Sequence, residues 1–151
     1  MLTPDEKAKE LGIDLAAYPG LVNLAPASRS GNTIYVSGHV SVGTKGKLGQ
    51  DVTLEQGQAG ARVCAVQLLQ AVYTLTGTLN NLRCVKVFGA VNTTPDYLDC
   101  HLVINGASQL FWDVLGKDSN GYHARSALGF ASLPNGFAVE VEAIFEVIGE
   151  A

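Results

Sequence analysis

The segment HARSALGFASLPNGFAVEVEA, residues 123–143, decides the fold because it holds two strand patterns separated by a turn signal. The first pattern consists of small and apolar residues around one arginine, Arg125. Pro134-Asn135-Gly136 is typical of a hairpin turn. The second pattern alternates apolar residues with carboxylates from Glu140 onward, so one face of that strand is predicted to be buried. The segment therefore predicts a β-hairpin that closes the chain.

Arg125 requires an explanation, because a guanidinium keeps its proton in an apolar strand and matches a carboxylate with two parallel hydrogen bonds. A two-residue turn would place Arg125 opposite Glu146, and this cross-strand ion pair is one explanation. An acidic ligand is the other. The same register places Arg125 and Glu140 on one face but about 20 Å apart. They could then share a small ligand only if they came from two copies of the chain.

Three helices are expected from their capping signals. Thr3 and Glu6 form a capping box that begins a helix over residues 4–11. Thr53 and Gln56 form a second box, and the helix that follows is expected to end at Gly77. A third helix is expected to begin at Thr94-Pro95 and to end at Gly116.

The remaining segments predict the strands. They are expected over 21–29, 33–38 and 82–91, and the glycine-rich run over 42–49 is expected to be a mobile loop. We expect a single domain over residues 1–151, in which residues 1–21 form an N-terminal extension. The order β-β-α-β-α-β-β predicts an α+β fold, a mixed sheet with two helices packed on one face.

Composition limits the function classes. Of the 151 residues only 16% are charged, against about 25% in typical domains, and 47% are hydrophobic. Such a surface favours a homo-oligomer. A net charge of −4 argues against a nucleic-acid binder. The absence of a signal peptide and of a long apolar run favours a cytoplasmic protein with no membrane span.

The sequence contains no metal-binding or nucleotide-binding motif, and no cofactor is expected. The three histidines and three cysteines lack the spacing of metal ligands, and Cys84 is expected to be an inert buried thiol.

Several motifs in order resemble the RidA/YjgF family, also called the endoribonuclease L-PSP family. The resemblance covers roughly residues 22–148. It implies a chorismate-mutase-like fold, a homotrimer and three ligand clefts between subunits. The motifs that carry it are Tyr35-Val36-Ser37-Gly38, Ile104-Asn105, Phe111-Trp112, Ala124-Arg125-Ser126, Leu133-Pro134 and Val139-Glu140-Val141-Glu142-Ala143.

The resemblance implies a cofactor-free deaminase that hydrolyses small 2-imino carboxylates to 2-keto acids and ammonia. Arg125 would hold the substrate carboxylate and Glu140 would activate the attacking water. The backbone of Ser37 and Gly38, together with Asn105, would line the pocket.

The chain also departs from the deaminase pattern. Ala127 stands where these enzymes have a cysteine, Leu24 falls near a pocket tyrosine, and Ser132 replaces a basic residue. Two alternatives therefore stay open. One is a trimer that binds a small carboxylate without turnover. The other is the ribonuclease activity of the family's older name, which the negative net charge opposes.

Overall fold

The computed structural model describes residues 1–149 and contains one five-stranded mixed sheet with three α-helices. The helices are α1 (Pro4–Glu10), α2 (Leu54–Thr76) and α3 (Cys100–Leu115). The strands are β1 (Ala27–Ser30), β2 (Thr33–Val40), β3 (Leu82–Asn92), β4 (Ala124–Phe130) and β5 (Val139–Val147). The expected order β-β-α-β-α-β-β and the α+β class are confirmed.

Two of the three helix starts follow the capping signals. Thr53 Oγ1 accepts from the Gln56 backbone N–H at 3.2 Å, and the Gln56 side chain accepts from the Thr53 N–H at 2.9 Å. The Thr3–Glu6 box is also formed. Helix α2 ends at Gly77, whose φ of 69° is the left-handed conformation that glycine adopts without strain.

The predicted start of α3 at Thr94-Pro95 is wrong, since the helix begins at Cys100. The backbone N–H of Thr93 donates to Phe130 and that of Thr94 donates to Leu48, both at 3.0 Å. These bonds extend the sheet by two residues and place Pro95 in a turn. The first strand is also shorter than the expected 21–29.

The sheet order is β1-β2-β5-β3-β4, and this order contradicts the predicted closing hairpin. Within residues 1–149, strand β4 pairs only with β3, in parallel, because α3 carries the chain back across the sheet. Residues Pro134–Gly136 do form a turn, but the chain after it crosses to the centre, where β5 pairs antiparallel with β2 and β3. The central position buries the apolar side of β5 far better than a place beside the edge strand would.

The predicted ion pair between Arg125 and Glu146 is therefore wrong. Arg125 lies beside Val87 of β3, whereas Glu146 lies opposite Thr33 and Arg83. The predicted pair required the turn to join neighbouring strands, but β3 lies between β4, which carries Arg125, and β5, which carries Glu146.

The two faces of the sheet differ in cover. Helices α2 and α3 pack on what we call the covered face, where Phe111, Phe145 and Ile34 are fully buried. They approach each other closely at Gly106, where a Cβ atom would lie 2.1 Å from the Gln58 carbonyl oxygen. The other side, the open face, carries Glu140 and Glu142 together with the exposed Tyr35.

The N-terminal residues and the glycine-rich loop are both tied to this body. The Asp5 carboxylate accepts from the Thr78 hydroxyl at 2.6 Å and from the Leu79 N–H at 2.7 Å. In the 42–49 loop, Lys47 Nζ donates to Asn92 Oδ1 at 2.8 Å, and Leu48 is fully buried. The segment is a loop, as expected, and these contacts attach Lys47 and Leu48 to the sheet.

Among residues 1–149, no helix combines the length and the hydropathy that a membrane crossing needs.

Candidate functional site

Arg125 extends from the edge strand β4 onto helix α3. Its Nη1 atom donates to Asn105 Oδ1 at 2.8 Å and to Ser108 Oγ at 3.2 Å. Its Nη2 atom donates to the His101 carbonyl oxygen at 3.2 Å. Arg125 and Asn105, which the resemblance assigned to one pocket, are thus in direct contact.

All three acceptors are neutral oxygens, so they orient the guanidinium without cancelling its charge. Within residues 1–149, no carboxylate approaches Arg125 to salt-bridge distance. Burial lowers the pKa of Arg125 from its ordinary value, yet a guanidinium stays protonated at neutral pH. The site therefore holds a positive charge that this part of the chain does not neutralise.

Helix α3 supplies these acceptors from one side. His101, Asn105 and Ser108 follow at spacings of four and three, which places them in one stripe along the helix. Asn105 was predicted from the sequence as a site residue, whereas Ser108 was not. A polar stripe on an otherwise apolar helix was the signal that could have identified it.

Glu140 lies on the open face beside a β-bulge in β2. The register between β2 and β5 shifts between Val36 and His39, so Ser37 and Gly38 form the bulge. A Cβ atom on Gly38 would lie 2.6 Å from Glu140 Oε2. Because Gly38 has no Cβ atom, the Glu140 carboxylate can pack directly against the backbone of the bulge.

The bulge is held by hydrogen bonds from behind. The Ser37 hydroxyl donates to the Ala25 carbonyl oxygen at 2.6 Å, and the Ser37 N–H donates to Pro26 at 2.9 Å. His39 Nδ1 lies 2.6 Å from the Ser37 carbonyl oxygen, and Tyr18 Oη lies 2.5 Å from His39 Nε2. Since the Ser37 hydroxyl is already engaged, backbone groups of the bulge remain to line a pocket.

The Glu140 carboxylate is half-buried, and no N–H or O–H group in residues 1–149 donates to it. Desolvation raises its pKa above the ordinary value, and the neighbouring Glu142 charge raises it further. Both oxygens are left with lone pairs that can accept a hydrogen bond from water or from a ligand.

Arg125 and Glu140 do not share a face, contrary to the hairpin register. Arg125 pairs with Val87, whose side chain is fully buried on the covered face, whereas Glu140 pairs with Ala90 on the open face. From strand spacing and residue rise their Cα atoms lie about 14 Å apart. One chain alone therefore does not bring the two groups to one small ligand.

The remaining reactive side chains are inert or structural. Cys64, Cys84 and Cys100 are buried free thiols, and burial raises the pKa of Cys84 far above its usual range, as expected for an inert thiol. No group of three or more metal-ligating side chains occurs in the described part of the chain. Leu24 is exposed, and the neighbouring Ala25 contacts Ser37.

Comparisons with known proteins identify relatives along nearly the whole chain. The family model described as endoribonuclease L-PSP matches residues 16–147. TCP17 of Trypanosoma cruzi is 40% identical over an alignment of 146 residues, and the match covers 92% of this chain and 91% of TCP17.

Solved structures of similar proteins share this fold. The protein Atu1372 of Agrobacterium tumefaciens is 40% identical, with a TM-score of 0.84 over 95% of this chain and 92% of that chain. A putative endoribonuclease of Shewanella oneidensis shares the fold at 22% identity, with a TM-score of 0.89 over 97% of this chain and 100% of that chain. On the family model and the relative at 40% identity, the protein belongs to the endoribonuclease L-PSP family, the RidA/YjgF family.

Proposed function

We propose that this protein is an imine deaminase that hydrolyses small 2-imino carboxylates to 2-keto acids and ammonia, in clefts between copies of a homotrimer. The observation that carries the proposal is the guanidinium of Arg125, which is held by neutral oxygens and keeps an unneutralised charge. Such a group binds a carboxylate with charge-assisted hydrogen bonds. A two- or three-carbon acid needs little more than this contact to be oriented.

The chemistry requires a positioned water and a group that moves its proton. The water oxygen adds to the imine carbon, and the electron pair of the C=N bond moves to nitrogen, which gains a proton. In the resulting carbinolamine the nitrogen gains a second proton, the hydroxyl group loses its proton, and the C–N bond breaks, so that a C=O bond forms and ammonia leaves. Glu140, as a carboxylate with free lone pairs, would take the water proton and give it to nitrogen in the first step, and would move the hydroxyl proton to nitrogen in the second.

The placement of Arg125 and Glu140 on opposite faces supports a shared site rather than a site within one chain. Arg125 extends from the edge strand β4, whereas Glu140 lies on the open face near β2. If the β4 edge of one copy approaches the open face of the next, Arg125 would meet the Glu140 carboxylate and the Gly38 bulge of that second copy. A closed ring of three copies would create three equal clefts.

An assay with a reactive imine tests the activity. An amino-acid oxidase converts alanine to 2-iminopropanoate, catalase removes the peroxide, and semicarbazide traps the imine that remains. Wild-type protein should lower semicarbazone formation, and Arg125→Ala should reduce kcat/KM by at least about 100-fold because two charged hydrogen bonds are lost. If both proteins leave the trapping rate unchanged, the deaminase proposal is wrong.

A trimer that binds a small carboxylate without turnover is the second candidate, and Ala127 and Leu24 favour it. These residues replace the thiol and the aromatic ring of the deaminase pattern. Calorimetric titration with pyruvate separates the two functions. Binding that Arg125→Ala abolishes, together with no imine hydrolysis in the wild type, would establish the binding function. The net charge of −4 argues against the ribonuclease alternative.

A further inference from the structure

We propose that Ser108 and His123 are positioning residues, a neutral hydrogen-bonded pair that fixes the orientation of the Arg125 guanidinium. The proposal rests on the proposed function, because it specifies how the carboxylate-binding group is aimed. Ser108 Oγ lies 3.2 Å from Arg125 Nη1 and 2.9 Å from His123 Nε2. Neither residue belongs to the motifs that carry the family resemblance.

The hydrogen-bond directions follow from the donors available. His123 Nδ1 lies 2.7 Å from the Gly121 carbonyl oxygen, which can only accept, so Nδ1 carries the ring proton. In the neutral ring Nε2 is then an acceptor, and the Ser108 hydroxyl must donate to it. Because its proton is directed at His123, Ser108 Oγ presents a lone pair to Arg125.

The His123 ring is held in this orientation by its neighbours. Trp112 stacks on it with ring centroids 6.1 Å apart and an interplanar angle of 27°, and Phe111 meets it edge-on at 5.9 Å. Burial lowers the pKa of His123, and the Arg125 charge lowers it further, so the neutral ring dominates near pH 7. Lys117, which lies over Trp112 at 5.2 Å, adds a second positive charge to this region.

A neutral pair achieves what a carboxylate in the same place could not. An aspartate beside Arg125 would orient the guanidinium, but it would also neutralise the charge that the substrate carboxylate needs. Ser108 and His123 orient Nη1 through a hydroxyl whose direction is fixed by the imidazole. The charge of Arg125 therefore remains available to the ligand.

Four variants separate positioning from general stability. Ser108→Ala removes the acceptor, and His123→Asn keeps a donor to Gly121 while removing the acceptor at Nε2. His123→Gln supplies an amide oxygen near the position of Nε2 and should rescue. Gln109→Ala is the matched control, because Gln109 is exposed on the same helix and bonds only to Asp113.

The expected readout is a split between KM and kcat in the imine assay. Ser108→Ala and His123→Asn should raise KM roughly tenfold with kcat within about twofold, since carboxylate binding serves the ground state and the transition state alike. His123→Gln and Gln109→Ala should keep KM within about twofold of the wild type. A role in folding alone would lower the melting temperature and the active fraction without changing KM.

A measurement without ligand keeps this inference separate from the deaminase proposal. The ¹⁵N shifts of the His123 ring should show a proton on Nδ1 and a hydrogen-bonded, unprotonated Nε2. Rotation of the Arg125 guanidinium about its Nε–Cζ bond should be faster in Ser108→Ala than in the wild type. A proton on Nε2, or equal rotation rates, overturns the positioning role, whereas an inactive wild type with the expected NMR results overturns only the deaminase function.

Discussion

The two halves of the candidate site are built in opposite ways. Arg125 is half-buried and makes three hydrogen bonds to α3, so its orientation is fixed within one chain. Glu140 is also half-buried, but no donor in residues 1–149 reaches its carboxylate, which packs against Gly38. The cation is positioned before any ligand arrives, and the carboxylate is left with its hydrogen-bonding capacity unused.

This difference indicates a division of roles. A binding group gains from preorganisation, because less rotational freedom is lost when the ligand binds. A proton acceptor gains from a raised pKa, which brings it closer to the pH at which it works. Desolvation without a donor raises the Glu140 pKa at the expense of folding stability, a cost that functional sites commonly carry.

The largest expected effect tests whether the two halves come from different copies of the chain. Arg125→Ala and Glu140→Gln should each be inactive as a pure protein. When the two variants are co-expressed with different tags and purified through both, each mixed trimer should place intact Arg125 opposite intact Glu140 in one of its three clefts, about a third of the total. Imine hydrolysis should therefore return to about a third of the wild-type rate.

A single-chain site would give a different result. Each protomer of the mixture would then lack one of the two groups, and no activity would return. A mixture of Arg125→Ala with Arg125→Lys controls for tagging and co-expression, since both of its components lack the arginine fork and neither supplies it to the other. Recovery in this control would invalidate the comparison.

A smaller effect is expected at the contact that places Glu140. In Gly38→Ala the new Cβ atom would lie 2.6 Å from Glu140 Oε2, so the carboxylate must move. Because the carboxylate is the end of a flexible side chain, we expect a stability loss of about 1 kcal/mol but a fall in kcat of about tenfold. Urea unfolding and the imine assay measure the two quantities.

A double-mutant cycle checks that the effect passes through Glu140. In a Glu140→Ala background the obstructing carboxylate is absent, and Gly38→Ala should cost little or no stability. An unchanged cost in that background would show that Gly38 serves the backbone of the bulge instead. In that case Gly38 would not be the residue that leaves room for the Glu140 carboxylate, and the difference between the two halves of the site would lack its structural cause at Glu140.

Local signals in the sequence predicted the starts of α1 and α2 and the alternation of β5, because the causes of these features are local. The Thr53–Gln56 box and Gly77 satisfy backbone groups within a few residues, and both formed as expected. Pro134-Asn135-Gly136 also formed a turn, yet the flanking strands do not pair. Whether strands pair across a turn depends on competition with β2 and β3, which lie far away in sequence.

Individual residues of the site could be predicted from the sequence, but their arrangement in space could not. Arg125 and Asn105 were named and are in contact, because a lone arginine and a motif asparagine can both be read from the sequence. Their relation to Glu140 could not be read correctly, since it depends on which face β4 presents to α3. The roles of Ser108 and His123 depend on contacts across 15 and 17 residues, which appear only once β4 lies beside α3.

The smallest expected effect is a gain in folding stability, and it comes from the same Glu140→Gln substitution that is expected to abolish activity. Glu140→Gln should raise the folding stability at pH 7, because an uncharged amide avoids the desolvation that the carboxylate suffers. Glu142→Gln is the matched control. Glu142 is exposed on the same strand, so its replacement should change stability less. Thermal melts of the three proteins between pH 4 and pH 8 measure the differences.

The pH dependence of this gain identifies its cause. A carboxyl group whose pKa is higher in the folded than in the unfolded state destabilises the fold once it ionises, so the wild type regains stability as the pH falls through the folded pKa. The advantage of Glu140→Gln should therefore be full at pH 7, shrink as the pH falls towards the ordinary glutamate value of about 4.3, and vanish below it. If the advantage stays constant with pH, charge burial is not its cause. If Glu140→Gln is instead less stable than the wild type at pH 7, the carboxylate is already satisfied by a donor, and the contrast with Arg125 does not hold in the assembled protein.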